Sequence, residues 1–438
     1  MAKQAGPMSG FRDMLADQMI PRQEALDTVR SVYESYGFVP LKTPALERLQ
    51  TLTGKYGEEG EGLIYKFQDN GGRDVAMRYD QTVPLARVVA QHASDLPSPY
   101  KRYALGEVWR GERPGAGRYR EFTQFDADTV GTLSYLADAE IIAMMQDSMS
   151  ALGLATRIRV NDRRLLDGLA TACAVEGEAG FKSLVGSIDK IDKIGRTAVL
   201  DEIRLEFGDD AAQTADKYLD CVNEPGRELE SVLGTLKSEV AREGVENLQR
   251  ILGALARAGY SKEQIVFDPT IARGLDYYTS TIYETMLTDL PEIGSVCSGG
   301  RYDNLIEQMG GPATPAVGTS IGVDRLIEGM RQLGQLKEVK TNTHVVIAAL
   351  DVELDEDRFE IVQSLRAAGI SADLVFESAK LGKQFKKIEQ LGVNTVLLFG
   401  AQERDKGVVI VKDLTSGEQT EVPLEKLTTF IKGVNDGE

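Results

Sequence analysis

The apolar residues of this chain change their spacing twice, and that pattern limits the folds open to it more than any single motif. Between about residues 63 and 130, short strand-like runs (IYKFQD, DVAMRYD, YKRYALGEVWR, RYREFTQFDADTVG) alternate with turns, and two of them joined by a Gly-rich turn predict an antiparallel hairpin. From 163 to 260 the segments LLDGLATAC, TAVLDEIRLEFG and VENLQRILGALARAG repeat at helical period instead. Strand-like sequence resumes with VFDPTIARGLDYYTSTIYETML and SVCSGGRYDNL, and the loop GGPATPAVG is expected to feed a closing helix, GTSIGVDRLIEGMRQLG. The block at about 165–260 is therefore a helical insertion into an antiparallel-sheet unit spanning 1–335. After the polar linker KEVKTN (337–342), strands and helices alternate, predicting a small α/β module with a mainly parallel sheet over 343–438. The class is α+β followed by α/β. Ahead of the sheet, residues 18–36 predict a helix with Leu26, Val29, Val32, Tyr33 and Tyr36 on one face, closed by Gly37. Pro40 and Pro44 in the following FVPLKTPALE imply an edge or interface position.

No run of about 18 uninterrupted apolar residues occurs, so no helical membrane span is expected. The first residues lack the apolar core and cleavage pattern of a secretory signal. Three scattered cysteines (Cys173, Cys221, Cys297) make neither a disulfide framework nor a zinc site, and the expected setting is reducing cytosol. Only two histidines are present, His92 near a helix end and His344 at the start of an apolar strand. Both read as structural, which removes most histidine-based nucleophile and metal chemistry.

Against a formal net charge of −18, the stretch VWRGERPGAGRYREFTQFDAD (108–128) gathers Arg110, Arg113, Arg118 and Arg120 around its turn. A guanidinium fork matches phosphate oxygens and stays charged at any working pH. Arg110 and Glu112, two apart, are expected on one face of a strand, where a buried charge pair without a use is unfavourable. The hairpin thus suits a phosphorylated ligand. Neither G-x-x-x-x-G-K-[ST] nor G-x-G-x-x-G after a strand occurs, so arginines on an antiparallel sheet must hold any nucleotide. MRYDQTVPLAR (77–87) allows two readings. On a strand, Asp80 and Thr82 share a face and can accept from an ammonium group; ahead of a helix, Asp80 is an N-cap. ARGLDYYTSTIYE carries Arg273, Asp276, Tyr277 and Tyr278, and SGGRYDNL carries Gly299, Gly300, Arg301 and Tyr302. Paired glycines permit close backbone approach, and tyrosines supply flat walls with a polar tip.

Together these segments resemble the class II aminoacyl-tRNA synthetases and, in detail, the histidyl-tRNA synthetase family. YGFVPLKTPALE with its preceding helix resembles the first class motif, whose proline (Pro44 here) lies at a dimer interface. VWRGERPGAGRYREFTQFDAD resembles the second and GTSIGVDRL the third. ARGLDYYT and SVCSGGRYDNL look like the two signature peptides of the histidine enzymes, and the C-terminal module is similar to their anticodon-binding domain. The resemblance covers nearly the whole chain, the insertion mainly by position. It implies that Arg110 and Arg325 hold the ATP phosphates, with Glu112 by the adenine and Arg118 and Tyr119 also near ATP. Asp80 and Thr82 would receive the ammonium group of L-histidine, Gln124 and Asp128 would read the amino acid, and Tyr277, Tyr278 and Tyr302 would wall the imidazole pocket. Arg273, catalytic with Arg110, would stand at the α-phosphate and carboxylate, doing work a metal ion does in related enzymes. Asp80 replaces the glutamate of the P-E-G-T segment of many bacterial members; RYDQT resembles the archaeal and eukaryotic-like branch.

The implied activity is a cytoplasmic, homodimeric ligase that joins L-histidine to tRNA(His) through an adenylate, with ATP and Mg²⁺ as substrate, no dedicated metal cage and no tightly bound cofactor. Neither a membrane nor DNA is an expected partner. The rival readings are a catalytically silent regulatory partner of ATP phosphoribosyltransferase and a tRNA-sensing module. Residues 343–438 hold 11 Lys/Arg and 17 Asp/Glu, net −6, yet Lys380, Lys383, Lys386 and Lys387 fall at helical spacing on one face. A solvated face is one reading of that stripe; a surface for tRNA is the preferred one.

Overall fold

The computed structural model describes residues 5–115, 117–223, 227–272, 277–377 and 379–435. Arg273 and Asp276 lie outside the described residues. The chain divides into two compact units, Met1–Asp13 with Ala25–Leu336, and Met14–Glu24 with Lys337–Glu438.

The strands of the first unit are β1 (Val39–Pro40), β2 (Leu46–Arg48), β3 (Lys66–Gln68), β4 (Asp74–Met77), β5 (Tyr100–Trp109), β6 (Glu121–Val130), β7 (Thr156–Asp162), β8 (Ile265–Phe267), β9 (Thr281–Leu287), β10 (Ser295–Arg301) and β11 (Ala316–Gly322). Eight of them form one sheet in the order β1-β5-β6-β11-β10-β9-β7-β8, while β2, β4 and β3 make a small separate sheet. The large sheet is antiparallel except at its edges, where β1 pairs with β5 and β8 with β7 in parallel. Proline-containing β1 is an edge strand, as Pro40 requires. The arginine-rich stretch is a hairpin registered from Tyr100 opposite Val130 to Trp109 opposite Glu121. Trp109 Nε1 donates to Glu121 Oε2 at 2.7 Å where the strands meet the connecting loop.

The two-residue period of a strand sorts β6 cleanly. Phe122, Gln124 and Asp128 line a cavity on one face, while Phe125 on the other packs against Tyr33 with ring centroids 4.9 Å apart. That second face carries the core: Ala25, Leu26, Val29 and Tyr33 of the helix Ala16–Ser35 join Ile141, Ile142, Met144, Met145 and Met149 of the helix Tyr135–Ala151 in one buried cluster with Phe125. Between β7 and β8 the insertion runs from the helix Arg163–Ala172 to the helix Glu239–Arg257. Asp162 opens it by accepting from the Arg164 backbone N–H at 3.0 Å.

Several local expectations are corrected. GTSIG belongs to strand β11, and the helix starts only at Val323 (Val323–Gln332), so GGPATPAVG leads into a strand. The period-2 signal of Val317, Thr319 and Ile321 is hidden by the helical period that follows it. Gly318 must lack a side chain there, because a Cβ on it would lie 1.8 Å from Asp128 Oδ1. Arg110 and Glu112 are not on a strand: the hairpin register ends at Trp109 opposite Glu121, which leaves 110–120 as its loop. Thr82 opens the helix Thr82–His92, whose N-cap is Gln81; Asp80 is therefore neither on a strand nor the N-cap itself, but one residue earlier, where its side chain accepts from the first two N–H groups of the helix.

In the second unit β12 (Val345–Ile347), β13 (Ala372–Leu374), β14 (Thr395–Leu398), β15 (Val408–Asp413) and β16 (Gln419–Pro423) form a sheet ordered β13-β12-β14-β15-β16. The first three are parallel, but β15 and β16 are antiparallel, so the sheet is mixed rather than mainly parallel. Only residues 414–418 join β15 to β16, too few for the crossover that a parallel pair needs.

Arg301 illustrates how alternation separates structure from site. Its neighbour Tyr302 lines the cavity, whereas Arg301 points to the helical layer and pairs with buried Asp138 of the helix Tyr135–Ala151. Its Nη1 also donates to the Thr132 carbonyl at 2.9 Å. The paired-glycine segment therefore contributes a tyrosine to the cavity and a structural ion pair to the core. Arg301→Ala leaves a buried carboxylate uncompensated and is expected to lower unfolding free energy by roughly 3–5 kcal/mol, measured by urea titration.

Candidate active site

The cavity on the open face of the sheet has a volume of about 390 Å³. Among its walls are the predicted residues Asp80, Thr82, Arg110, Glu112, Arg118, Tyr119, Gln124, Asp128, Tyr277, Tyr278, Tyr302 and Arg325, brought together from five separate stretches of chain. Lys380, Lys383, Lys386 and Lys387 belong to the other unit: Lys380 precedes the helix Leu381–Gln390, and all four are exposed while Gln384 and Ile388 face inward.

At the amino-acid end, Asp80 is buried, and its Oδ1 accepts from Tyr56 Oη at 3.1 Å and from the backbone N–H groups of Thr82 and Val83 at 3.1 and 3.0 Å. No described residue donates to its Oδ2. Burial raises the Asp80 carboxyl above its ordinary range, opposed by those hydrogen bonds and by Arg110. The tyrosine wall is tight: the Tyr277 ring meets Tyr278 edge-on at 4.7 Å and Tyr302 at 6.1 Å. Burial pushes the Tyr302 hydroxyl far up, so it stays protonated and donates to Asp128 Oδ1. Gln124 Nε2 donates to Ser320 Oγ at 2.9 Å, and Cys297, also in the wall, is pushed up to about 12 by burial and remains a thiol.

Arg110 lies between this end and the loop. Its guanidinium stacks on Tyr79 at 4.4 Å and Phe122 at 5.2 Å, and its Nε donates to the Tyr79 carbonyl at 3.1 Å. Its charge is thus held by ring faces, leaving its Nη groups for a ligand. At the loop end, Arg118 Nε pairs with Glu112 at 2.8 Å, and Arg325 Nη1 donates to the Ser295 carbonyl at 2.8 Å. Three arginines and no histidine therefore face the cavity among the described residues.

Beneath the floor lies a residue the sequence reading missed. Arg102, with no exposed side-chain surface, pairs with Asp128 Oδ2 at 2.7 Å, and its Nη2 donates to the Gln81 carbonyl at 3.1 Å. The hairpin register carries the signal, since it sets Arg102 directly opposite Asp128. Buried Asp126 is the second carboxylate near this one guanidinium. Tyr79 and Phe122, the stacking partners of Arg110, were missed as well; nothing in their spacing marks them.

Burial pushes the Asp126 carboxyl up to about 7, with Arg102 opposing and Asp128 adding to the rise. The folded state thus keeps a proton that the unfolded chain releases near its ordinary value of about 4. The associated stability is complete below that value and is lost as pH rises through about 7. Asp126→Asn is neutral at every pH, so its stability relative to the parent should improve by on the order of 2 kcal/mol between pH 5 and pH 8. Urea-unfolding midpoints of both proteins across that range measure it; a constant difference removes the assignment.

Comparisons with known proteins point to one family. A family model described as histidyl-tRNA synthetase matches residues 10–326, and one described as anticodon binding domain matches 344–433. Histidine–tRNA ligase of Rhodopirellula baltica is 41% identical over 421 residues, 95% of this chain and 94% of that protein. Histidyl-tRNA synthetase from Nostoc sp. PCC 7120 superposes with a TM-score of 0.86 at 34% identity, covering 98% of this chain and 99% of that one. An ATP phosphoribosyltransferase regulatory subunit/histidyl-tRNA synthetase from Bacillus halodurans C shares the fold, with a TM-score of 0.75 at 21% identity over 88% of this chain and 97% of that one. By family-model match and by full-length identity, the chain belongs to the histidyl-tRNA synthetase family.

Proposed function

We propose that the chain activates L-histidine with ATP and transfers it to the 3′ end of tRNA(His). The observation that carries this reading is the cavity itself, in which a carboxylate with one uncommitted oxygen and a tyrosine wall share a space with Arg110, Arg118 and Arg325. Attack of a carboxylate on an α-phosphorus needs two anions held together while charge grows on phosphoryl oxygens. Guanidinium groups do that, with neither a nucleophilic side chain nor a base. In this reading Asp80 Oδ2 and Thr82 take the ammonium group, Gln124 and Asp128 fix the imidazole through the Tyr302 network, and Tyr277 and Tyr278 exclude water. Arg110 and Arg325 hold phosphates, Glu112, Arg118 and Tyr119 contact the nucleotide, and Arg273 stands at the reacting carboxylate and α-phosphate.

Mg²⁺ enters with the nucleotide and supplies further charge neutralisation when bound. Of the cavity carboxylates, Glu112, Asp128, Glu284 and Asp324 already face Arg118, Arg102, Arg159 and Arg12, and Asp80 is assigned to the ammonium group, so phosphate oxygens and water would supply most of its ligands. A homodimer in the cytoplasm completes the reading: Pro44 is exposed, and so are the apolar Val39 and Leu46 that flank it in sequence, at 48% and 47%, as burial against a second copy would require. The second unit would take the anticodon arm along its lysine stripe, whose four side chains make no ion pair among the described residues.

Two outcomes follow. Histidine alone among amino acids should drive exchange of labelled pyrophosphate into ATP, and Arg110→Ala or Arg273→Ala should lower kcat/KM by roughly 10²–10³; no exchange in folded parent would favour the regulatory reading. Lys383→Glu with Lys387→Glu should leave exchange unchanged while raising KM for tRNA, with a shallower salt dependence of charging. Equal charging by this pair and the parent would return the stripe to a solvated face.

A further inference from the structure

We propose that Arg12 is a positioning residue for the nucleotide end of the cavity, where it fixes loop 110–120 against the start of the helix that carries Arg325. This inference rests on the aminoacylation reading above.

The segment 8–12 turns back on itself, with the Phe11 N–H donating to the Met8 carbonyl at 3.0 Å. It then lies across the base of the loop. The Arg120 N–H donates to the Gly10 carbonyl at 2.9 Å, and Arg120 Nη1 donates to the Ser9 carbonyl at 3.3 Å. Gly10 has φ +85°, and a Cβ there would lie 2.7 Å from Arg120 Cγ, so the crossing needs glycine on two counts. Phe11 meets the Tyr65 ring edge-on at 6.3 Å. The next residue, Arg12, closes the device. Its guanidinium lies 3.8 Å above the Tyr119 ring centroid and pairs with buried Asp324. The second Asp324 oxygen accepts from the Thr123 N–H at 2.8 Å, which anchors that carboxylate to β6.

Arg12 therefore touches both parts that must be kept in register: Tyr119 in the loop, and the residue preceding Arg325. The bonds of Gly115 with Arg118 and of Arg118 with Glu112 run within the loop, and a Cβ on Gly117 would lie 3.7 Å from Arg325 Cα, so the loop approaches the helix there by packing while Arg12 adds a charged link. A Pro- and Gly-containing loop loses much conformational freedom when it orders around a ligand. A planar cation stacked on one side and paired on the other removes part of that loss before ATP arrives. Arg12 does not line the cavity, so its effect reaches ATP only through Tyr119 and Asp324.

The test is pyrophosphate exchange with ATP and histidine varied in turn, for the parent, Arg12→Met and Arg12→Lys, alongside thermal unfolding of each. Methionine keeps the apolar stem over Tyr119 and deletes the charge; lysine keeps the charge and deletes the planar fork. KM for ATP should rise ~10-fold in Arg12→Met, with KM for histidine within twofold of the parent and partial recovery in Arg12→Lys. A folded Arg12→Met variant with unchanged KM for ATP, or with both KM values raised alike, overturns the inference. If Arg12→Met does not fold, Arg12→Lys decides by the same split. Absence of exchange in the parent would instead sink the functional reading on which the inference stands.

Discussion

A guanidinium with no exposed surface lies under the floor of the cavity, and much of the first unit is arranged around it. Arg102 cannot be left without a counter-charge in that position, because an isolated buried ion is far less stable than a solvated one. The hairpin register sets Asp128 opposite it, and Asp126 follows two residues earlier on the same face of β6. One positive charge between two carboxyls leaves one of them a place to keep its proton. Asp128, held by the ion pair, in turn fixes the hydroxyl of Tyr302. A single buried charge thus orients a side chain in the wall of the cavity without touching the cavity space itself.

The same alternation distributes the rest of the unit. The face of the sheet that carries Arg102, Asp126, Asp128 and Gln124 keeps only a smaller apolar cluster, which includes Tyr100, Val130 and Tyr302, while the helices Ala16–Ser35 and Tyr135–Ala151 gather on the opposite face with Tyr33, Phe125 and a row of methionines. Arg301 and Tyr302, adjacent in sequence, show the division at its sharpest: one braces the helical layer, the other faces the cavity.

What the sequence revealed and what it hid follow physical lines. Long periodic elements were legible: the insertion at helical period, the hairpin from alternating aromatics and arginines, and the polar break before Lys337. Short elements were not. β11 contributes only Ala316–Gly322 before a stronger helical signal, and the antiparallel end of the second sheet depends on a connection length rather than on residue type. The cavity residues carried by recognisable peptides converge in the fold, with Arg273 outside the described residues. Residues that act by stacking or by opposing a partner across strands, such as Tyr79, Phe122 and Arg102, become visible only when register is known. Asp80 lay between: the local sequence allowed a strand or a cap, and the fold sets it one residue before the cap, where its side chain accepts from the Thr82 and Val83 N–H groups at a helix start.

The parallel pairing of β7 with β8 has a consequence for the helical insertion. Parallel neighbours begin at the same end of a sheet, so the chain leaving β7 must travel back along the strand before β8 can start. The whole insertion is therefore the return path of one very large crossover, not a loop grown from a tight turn. Excising its helices and rejoining the ends with a short linker would strand β8 away from its partner; a shortened form needs a bridge of at least about a dozen residues to preserve the sheet edge. Chain topology makes this region replaceable by another crossover but not dispensable.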